Sequence, residues 1–236
     1  MDNRKKIRRA LISVYDKNRL EEIGKALTTS GVETLTINSG TSANTLASLS
    51  AVGMSKLVVT GDQALTIGGT TGNSGSSTVI GTTTFDLSAA TGALTLTTGN
   101  GTGGTGSVVG ATVTGPTAAT AGALTLTTST LNDTVTLGAG ANTVSTGAGN
   151  DTIVITHAGA TAIDLTKVAG VERLTIANGG NTFGITYGTS TSVTSITGGT
   201  GADVQTFTGT LTNVTINGGT GADNFTLGTG NDTVTF

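Results

Sequence analysis

Cysteine and tryptophan are absent from this chain, and proline occurs once, at Pro116. Without cysteine there is no disulfide, no zinc-thiolate centre and no thiol nucleophile. Aromatic residues make up only 3% of the 236 residues. Large aromatics usually anchor a globular core, so their scarcity argues against a conventional compact enzyme. Charged residues reach 11%, less than half of the roughly 25% found in ordinary globular domains. No apolar run approaches the roughly 18 residues of a membrane-spanning helix. What is present instead is glycine, with 38 residues, and threonine, which outnumbers it. Collagen is excluded, because the glycines follow no strict period of three and proline is nearly missing. Disorder of the highly charged kind is also excluded, since the net charge is −3 and 35% of residues are apolar.

The charges are unevenly placed. Eight of the eleven basic residues lie in the first 25, namely Arg4, Lys5, Lys6, Arg8, Arg9, Lys17, Arg19 and Lys25. From Thr34 onward there are three basic and nine acidic residues, a net of −6. So acidic a stretch does not neutralise phosphates, and nucleic acid is not an expected partner. The composition breaks near Glu33, which divides the chain into a head, 1–33, and a tail, 34–236.

In the head, Ala10-Leu11-Ile12-Ser13-Val14 is an apolar run of strand length. Asp16 is placed to cap a following helix with Leu20, Ile23, Ala26 and Leu27 on one face. Gly31 stands where that helix would end. The basic start is not a signal peptide, because no apolar segment of the required length follows it. The string RRALISVYDKNRLEEIGKAL, followed by SGVE, resembles the N-terminus of the bifunctional purine-biosynthesis enzymes that join IMP cyclohydrolase to AICAR formyltransferase. That resemblance implies a phosphate-binding role for Ser13 and Lys17. It covers only residues 4–33, and the family's next phosphate loop, STGGT, is replaced by Ile37-Asn38-Ser39-Gly40-Thr41. A foreign or fused N-terminus without enzymatic activity is the expectation.

The tail is repetitive. GGTGAD occurs at 198–203 and 218–223, and the second copy continues as two nonapeptides, GGTGADNFT (218–226) and LGTGNDTVT (227–235). A second block reads TSTLNDTVT (128–136), LGAGANTVS (137–145) and TGAGNDTIV (146–154). All fit the phase G-G-x-G-x-D-x-U-x. Position six is Asp133, Asn142, Asp151, Asp223 or Asp232, with Asp203 in the isolated hexapeptide. Position eight is Val135, Val144, Ile153, Phe225 or Val234. Glycines at positions one, two and four permit a tight turn through positive φ. Here they include Gly147, Gly149, Gly219, Gly221, Gly228 and Gly230. Such a turn points carbonyls inward beside the position-six carboxylate, and oxygen-only ligands suit a hard cation such as Ca²⁺. Position eight points into a thin core. With one nonapeptide to half a coil, Asp133 and Asp151 stack on one side and Asn142 faces the other. Stacked carboxylates repel by about 1–4 kcal/mol per pair at about 4 Å, and an intervening divalent ion reverses that sign, coupling folding to metal.

These nonapeptides resemble the repeats-in-toxin (RTX) family of calcium-binding β-rolls. GVETLTINSGTSANTLASL (31–49), SKLVVTGDQALTI (55–67) and GVERLTIANGGNTF (170–183) resemble the β-solenoid portions of bacterial surface-layer proteins and large adhesins. The resemblance implies calcium binding, secretion by a type I route, a place on the bacterial cell surface and self-association into a lattice. A cell-surface polysaccharide is a further candidate partner. Between the blocks, Leu, Val or Ile alternates with Thr, the period-two mark of a half-buried strand. ALTLTT recurs at 93–98 and 123–128. Residues 68–77 and 99–107 read as linker-like loops. The expected fold is therefore mainly β: a parallel β-solenoid or β-roll with a short N-terminal strand-helix segment. A Thr/Gly/Ala-rich solenoid would occupy 34–127, and an RTX-type roll, truncated in mid-repeat at Phe236, would occupy 128–236.

Other chemistries find little footing. His157 has no ligand partners at metal spacing, and the glycine-rich loops lack the Gly-Lys-Ser/Thr ending of a nucleotide-binding loop. Asp164 and Glu172 are better read as solvated side chains than as an acid/base pair. Thr-x-Thr pairs resemble those of ice-binding solenoids, yet Thr is the expected small β-branched residue on an exposed strand face. The expectation is a structural, non-enzymatic protein. A fragment of a purine-biosynthesis enzyme and a passenger of a type I-secreted RTX hydrolase or adhesin are the alternatives.

Overall fold

A computed structural model of the chain describes residues 9–13, 33–46, 49, 54–71, 84–98, 101–102, 108–117, 122–138, 142–156, 163–165, 168–176, 182–187, 192–208, 213–227 and 230–236. Among these residues the secondary structure is strand and turn, without helix. The helix expected after Asp16 and the residue His157 lie outside them.

The strands form a β-solenoid. Eleven parallel strands make one long sheet, running from Arg9–Ser13 through Thr34–Asn38, Lys56–Gly61, Thr84–Ala90 and Thr112–Thr114. It continues with Thr134–Leu137, Thr152–Ile155, Arg173–Ile176, Ser195–Thr197 and Thr215–Asn217, and ends at Thr233–Thr235. A second parallel sheet contains Asn44–Leu46, Leu65–Thr71, Leu94–Thr98, Leu124–Thr127, Asn142–Ser145 and Val168–Ala169. A third contains Ile163–Leu165, Thr182–Tyr187, Val204–Thr208 and Asn224–Thr226. From Thr34 onward, strands of the second or third sheet alternate along the chain with those of the long sheet, except that both Ile163–Leu165 and Val168–Ala169 fall between Thr152–Ile155 and Arg173–Ile176.

Alternation of Thr with an aliphatic residue dictates this packing. Side chains along a strand point to opposite faces, so in Thr134–Leu137 Val135 and Leu137 are buried while the two threonines are half-buried. Register carries the pattern from coil to coil. Leu35, Leu57, Phe85, Val113, Val135, Ile153, Leu174, Ile196 and Ile216 pair in sequence along the long sheet and are all buried. Leu65, Leu94 and Leu124 form the corresponding buried column opposite. Each such side chain contributes about 1.5–3 kcal/mol on burial. A continuous core built from stacked coils needs few aromatics, which resolves the composition.

Coil length varies. Thr134 pairs with Thr152 and Thr215 with Thr233, so that two nonapeptides make one coil inside the repeat blocks. Lys56 pairs with Thr84 and Thr84 with Thr112 in much longer coils. Part of the segment read as a linker is strand. Residues 68–71 complete Leu65–Thr71, with a register shift between Thr66 and Thr70 against the neighbouring strand. Gly101–Thr102 and Val108–Val109 form a small antiparallel pair. The N-terminal strand Arg9–Ser13 lies parallel to Thr34–Asn38, with Ala10 opposite Leu35 and Ile12 opposite Ile37. It thus joins the solenoid's own sheet.

Polar contacts on the outer face are secondary to this core. Lys56 Nζ lies 2.9 Å from Asp86 Oδ2. The Asp86 carboxyl is held below its ordinary value by the Ser88 hydroxyl first and Lys56 second. Because the pair is partly solvated, Lys56→Ala is expected to change stability by less than about 1 kcal/mol in a denaturant titration.

Candidate metal centre

The nonapeptide turns stack directly on one another. In the first block Gly147 and Gly149 have φ of 84° and 143°. A Cβ on Gly149 would lie 2.6 Å from the Leu131 carbonyl oxygen of the preceding coil and 2.9 Å from Asp151 Oδ1. In the second block Gly219 and Gly221 repeat these angles at 89° and 144°. A Cβ on Gly219 would lie 2.0 Å from the Gly199 carbonyl oxygen. Backbone carbonyls and carboxylates therefore crowd into the space that only glycine leaves open. Gly230 has φ 141°, and Gly228 lies outside the described residues.

The position-six residues sit at or immediately before the strand starts and form hydrogen-bonded columns. Beside the long sheet, Asp133 N–H donates to Asp151 Oδ1 at 2.7 Å, from one coil to the next. Ala111 N–H in turn donates to Asp133 Oδ1. The Ser129 hydroxyl lies 2.9 Å and 3.0 Å from the two Asp133 oxygens. Asn142 opens a strand of the second sheet, on the opposite side of the coil from Asp133 and Asp151. In the second block, Asp203 N–H donates to Asp223 Oδ1 at 3.0 Å beside the third sheet. Val214 N–H donates to Asp232 Oδ1 at 2.9 Å beside the long sheet. Asp203 and Asp223 thus share one column, while Asp232 lies across the coil from them.

These carboxylates are withdrawn from water. Asp133, Asp151 and Asp203 are buried. Each ladder bond occupies one carboxylate oxygen and leaves the other to find its own partner. Asp151 Oδ2 and Asp223 Oδ2 are buried without any hydrogen-bond partner. An unpaired buried oxygen carrying negative charge is costly. Burial raises the Asp151 carboxyl to about 6, and the Asp133 and Glu172 charges add to the rise, while the bond from Asp133 N–H and the Thr146 hydroxyl oppose it.

Sequence reasoning missed several members of this site. Glu172, read as solvated, is half-buried, and its Oε2 accepts the Asp151 N–H at 2.8 Å. Asn150 N–H donates to Asn132 Oδ1 at 2.8 Å, and Asn231 N–H to Asn213 Oδ1 at 3.2 Å. Each block thus has one amide bond between neighbouring coils that runs in the opposite sense to the carboxylate bonds. The Asn132-Asp133 pair marks the first acceptor in the sequence, but the second, Asn213, precedes Val214 and carries no such mark.

The model of the RTX calcium-binding nonapeptide repeat matches residues 125–154 and 197–234, in four copies. Both segments are RTX repeats. No curated protein and no solved structure matches the chain. The resemblance of residues 4–33 to purine-biosynthesis enzymes receives no support from these comparisons.

RTX nonapeptide repeats bind calcium, and the donor set here fits that ion. Backbone carbonyl oxygens press on Gly147, Gly149, Gly219 and Gly221, and two buried carboxylate oxygens of the same turns lack donors. Among the described residues no three His, Cys, Asp or Glu side chains gather into a metal-holding group. Turn carbonyls must therefore supply much of the six- to eight-fold shell that calcium takes. Asp133 and Asp151 in one block, and Asp203 and Asp223 in the other, are the carboxylates that would hold it. The ion supplies positive charge where buried negative charge accumulates. The chain's own part is to fix the carboxylates through the N–H ladder and to exclude water with the stacked core.

Proposed function

We propose that this chain is part of an extracellular structural protein, a calcium-stabilised surface-layer or adhesin segment that associates with copies of itself on a bacterial surface. The supporting observation is the pair of buried, donorless oxygens on Asp151 and Asp223 within RTX turns. Repeat blocks so built are unfavourable without calcium and stiffen once calcium is present. Such behaviour suits blocks that remain unfolded during export and fold outside.

Self-association draws support from the outer face of the second sheet. Thr45, Thr66, Thr95, Thr125 and Thr143 pair in an unbroken column there. They present an uncharged, β-branched surface on which another rod can lie without desolvating charge. No helix among the described residues is long and apolar enough to cross a membrane. Electron microscopy and sedimentation at millimolar calcium test the reading. Ordered sheets or defined oligomers that dissolve on chelation are expected. A monodisperse rod at every calcium concentration contradicts self-association.

A further inference from the structure

The carboxylate column does not end where the nonapeptide pattern ends. The first segment of the RTX match stops at residue 154 and the second begins at 197. The next coil, longer than two nonapeptides, returns to the long sheet with Thr152 opposite Arg173. Residues 168–172 belong to no nonapeptide, yet their turn stacks on 146–151 as that turn stacks on 128–133. Gly170 adopts φ 78°, and a Cβ there would lie 2.6 Å from the Gly147 carbonyl oxygen and 3.1 Å from Thr146 Oγ1. Thr146 donates to the Ala169 carbonyl through both its N–H, at 3.0 Å, and its hydroxyl, at 3.1 Å. Glu172 then holds the position immediately before its strand that Asp133 and Asp151 hold before theirs.

Its chemistry repeats theirs. Glu172 Oε2 accepts the Asp151 N–H as Asp151 Oδ1 accepts the Asp133 N–H. Glu172 Oε1 has a long 3.4 Å contact with the Ser192 hydroxyl. On the adjoining coil Asp151 Oδ2 is wholly buried and has no partner. One acceptor oxygen on each of two successive coils is therefore spare or weakly used, at a turn whose carbonyls already press against glycine.

We infer that Glu172 and Asp151 together hold a divalent, oxygen-seeking cation between turns 146–151 and 168–172, a site beyond the nonapeptide repeats. A glutamate, longer than aspartate by one methylene, spans the looser coil while still capping the neighbouring N–H. This site rests on the calcium reading of the repeats and extends it to a coil without the motif.

The test is calcium calorimetry on the intact chain, comparing wild type with Glu172→Gln and, separately, Asp223→Asn. Gln keeps an acceptor for the Asp151 N–H and removes the charge. Glu172→Gln is expected to lose one bound calcium, or to weaken one binding step at least tenfold, with the Asp223-dependent step unchanged. Identical titrations of wild type and Glu172→Gln overturn the site while leaving the RTX reading intact. A wild-type chain that binds no calcium overturns both. Far-UV circular dichroism guards against misfolding. A Glu172→Gln chain lacking β-structure at every calcium concentration, although Gln keeps the cap, makes the Glu172 charge a requirement of folding independent of metal and likewise overturns the site.

Discussion

Chelating calcium is expected to remove β-structure from residues 128–154 and 198–236 while the coils built on 34–98 persist. The first group carries Asp133 and Asp151 in one column, which Glu172 continues on the next coil, and Asp203 and Asp223 in another, each residue one coil from the next. Parallel strands lie about 4.8 Å apart, and like charges near that spacing repel by about 1–4 kcal/mol per pair. Calcium present at about one hundred times its dissociation constant stabilises the native state by roughly 2.7 kcal/mol per site. Two sites then account for about 5 kcal/mol, the scale of a whole domain's stability. The earlier coils carry Leu35, Leu57, Phe85 and Leu87 as their core and owe nothing to buried carboxylates. Hydrogen exchange with and without chelator reads both regions at once. Uniform protection in both conditions would contradict the expectation.

Asp151→Asn is expected to act in opposite directions with and without metal. Asn retains the acceptor for the Asp133 N–H, and its amide nitrogen replaces an oxygen that was already unsatisfied. What disappears is a buried charge. In the calcium-free protein the Asp151 carboxyl is raised from 3.8 to about 6, so the native state holds a proton that the unfolded chain has already released. The contribution of this group is therefore present at low pH and is lost as pH rises from about 4 to about 6. A rise of that size corresponds to about 3 kcal/mol, the order of the gain that Asn should bring to the metal-free protein at neutral pH. Calcium affinity of the first block should fall at least tenfold. Denaturant titration across pH checks the first effect and calorimetry the second. A variant silent in both would reduce Asp151 to a turn residue.

Much of this was legible because the two periodicities are chemical. Thr-aliphatic alternation marks one face of every coil, so Leu174-Thr175-Ile176 reads as strand and forms one. The nonapeptide phase places Asp133 over Asp151 because two nonapeptides complete a coil, as the pairing of Thr134 with Thr152 shows. The remainder left little trace for physical reasons. A ladder bond uses a backbone N–H, which every residue but proline has, so Ala111 and Val214 serve as donors without any distinguishing side chain. Coils longer than two nonapeptides break the phase, as between Val204 and Asn224, Thr152 and Arg173, or Thr84 and Thr112. Glu172 is therefore out of step with the motif although it lies in the column. Composition separated the basic N-terminus from the tail, but Arg9–Ser13 pairs with the solenoid's sheet because strand pairing depends on backbone and apolar pattern rather than charge.

The most direct test of the calcium-stabilised solenoid is a calcium titration of the intact chain by calorimetry, with circular dichroism followed on the same samples. Saturable binding is expected at roughly 10⁻⁴–10⁻³ M, the range of extracellular calcium modules, with β-structure rising in step. Absence of binding and of any spectral change up to about 10 mM, roughly tenfold above the weak end of that range, would contradict it.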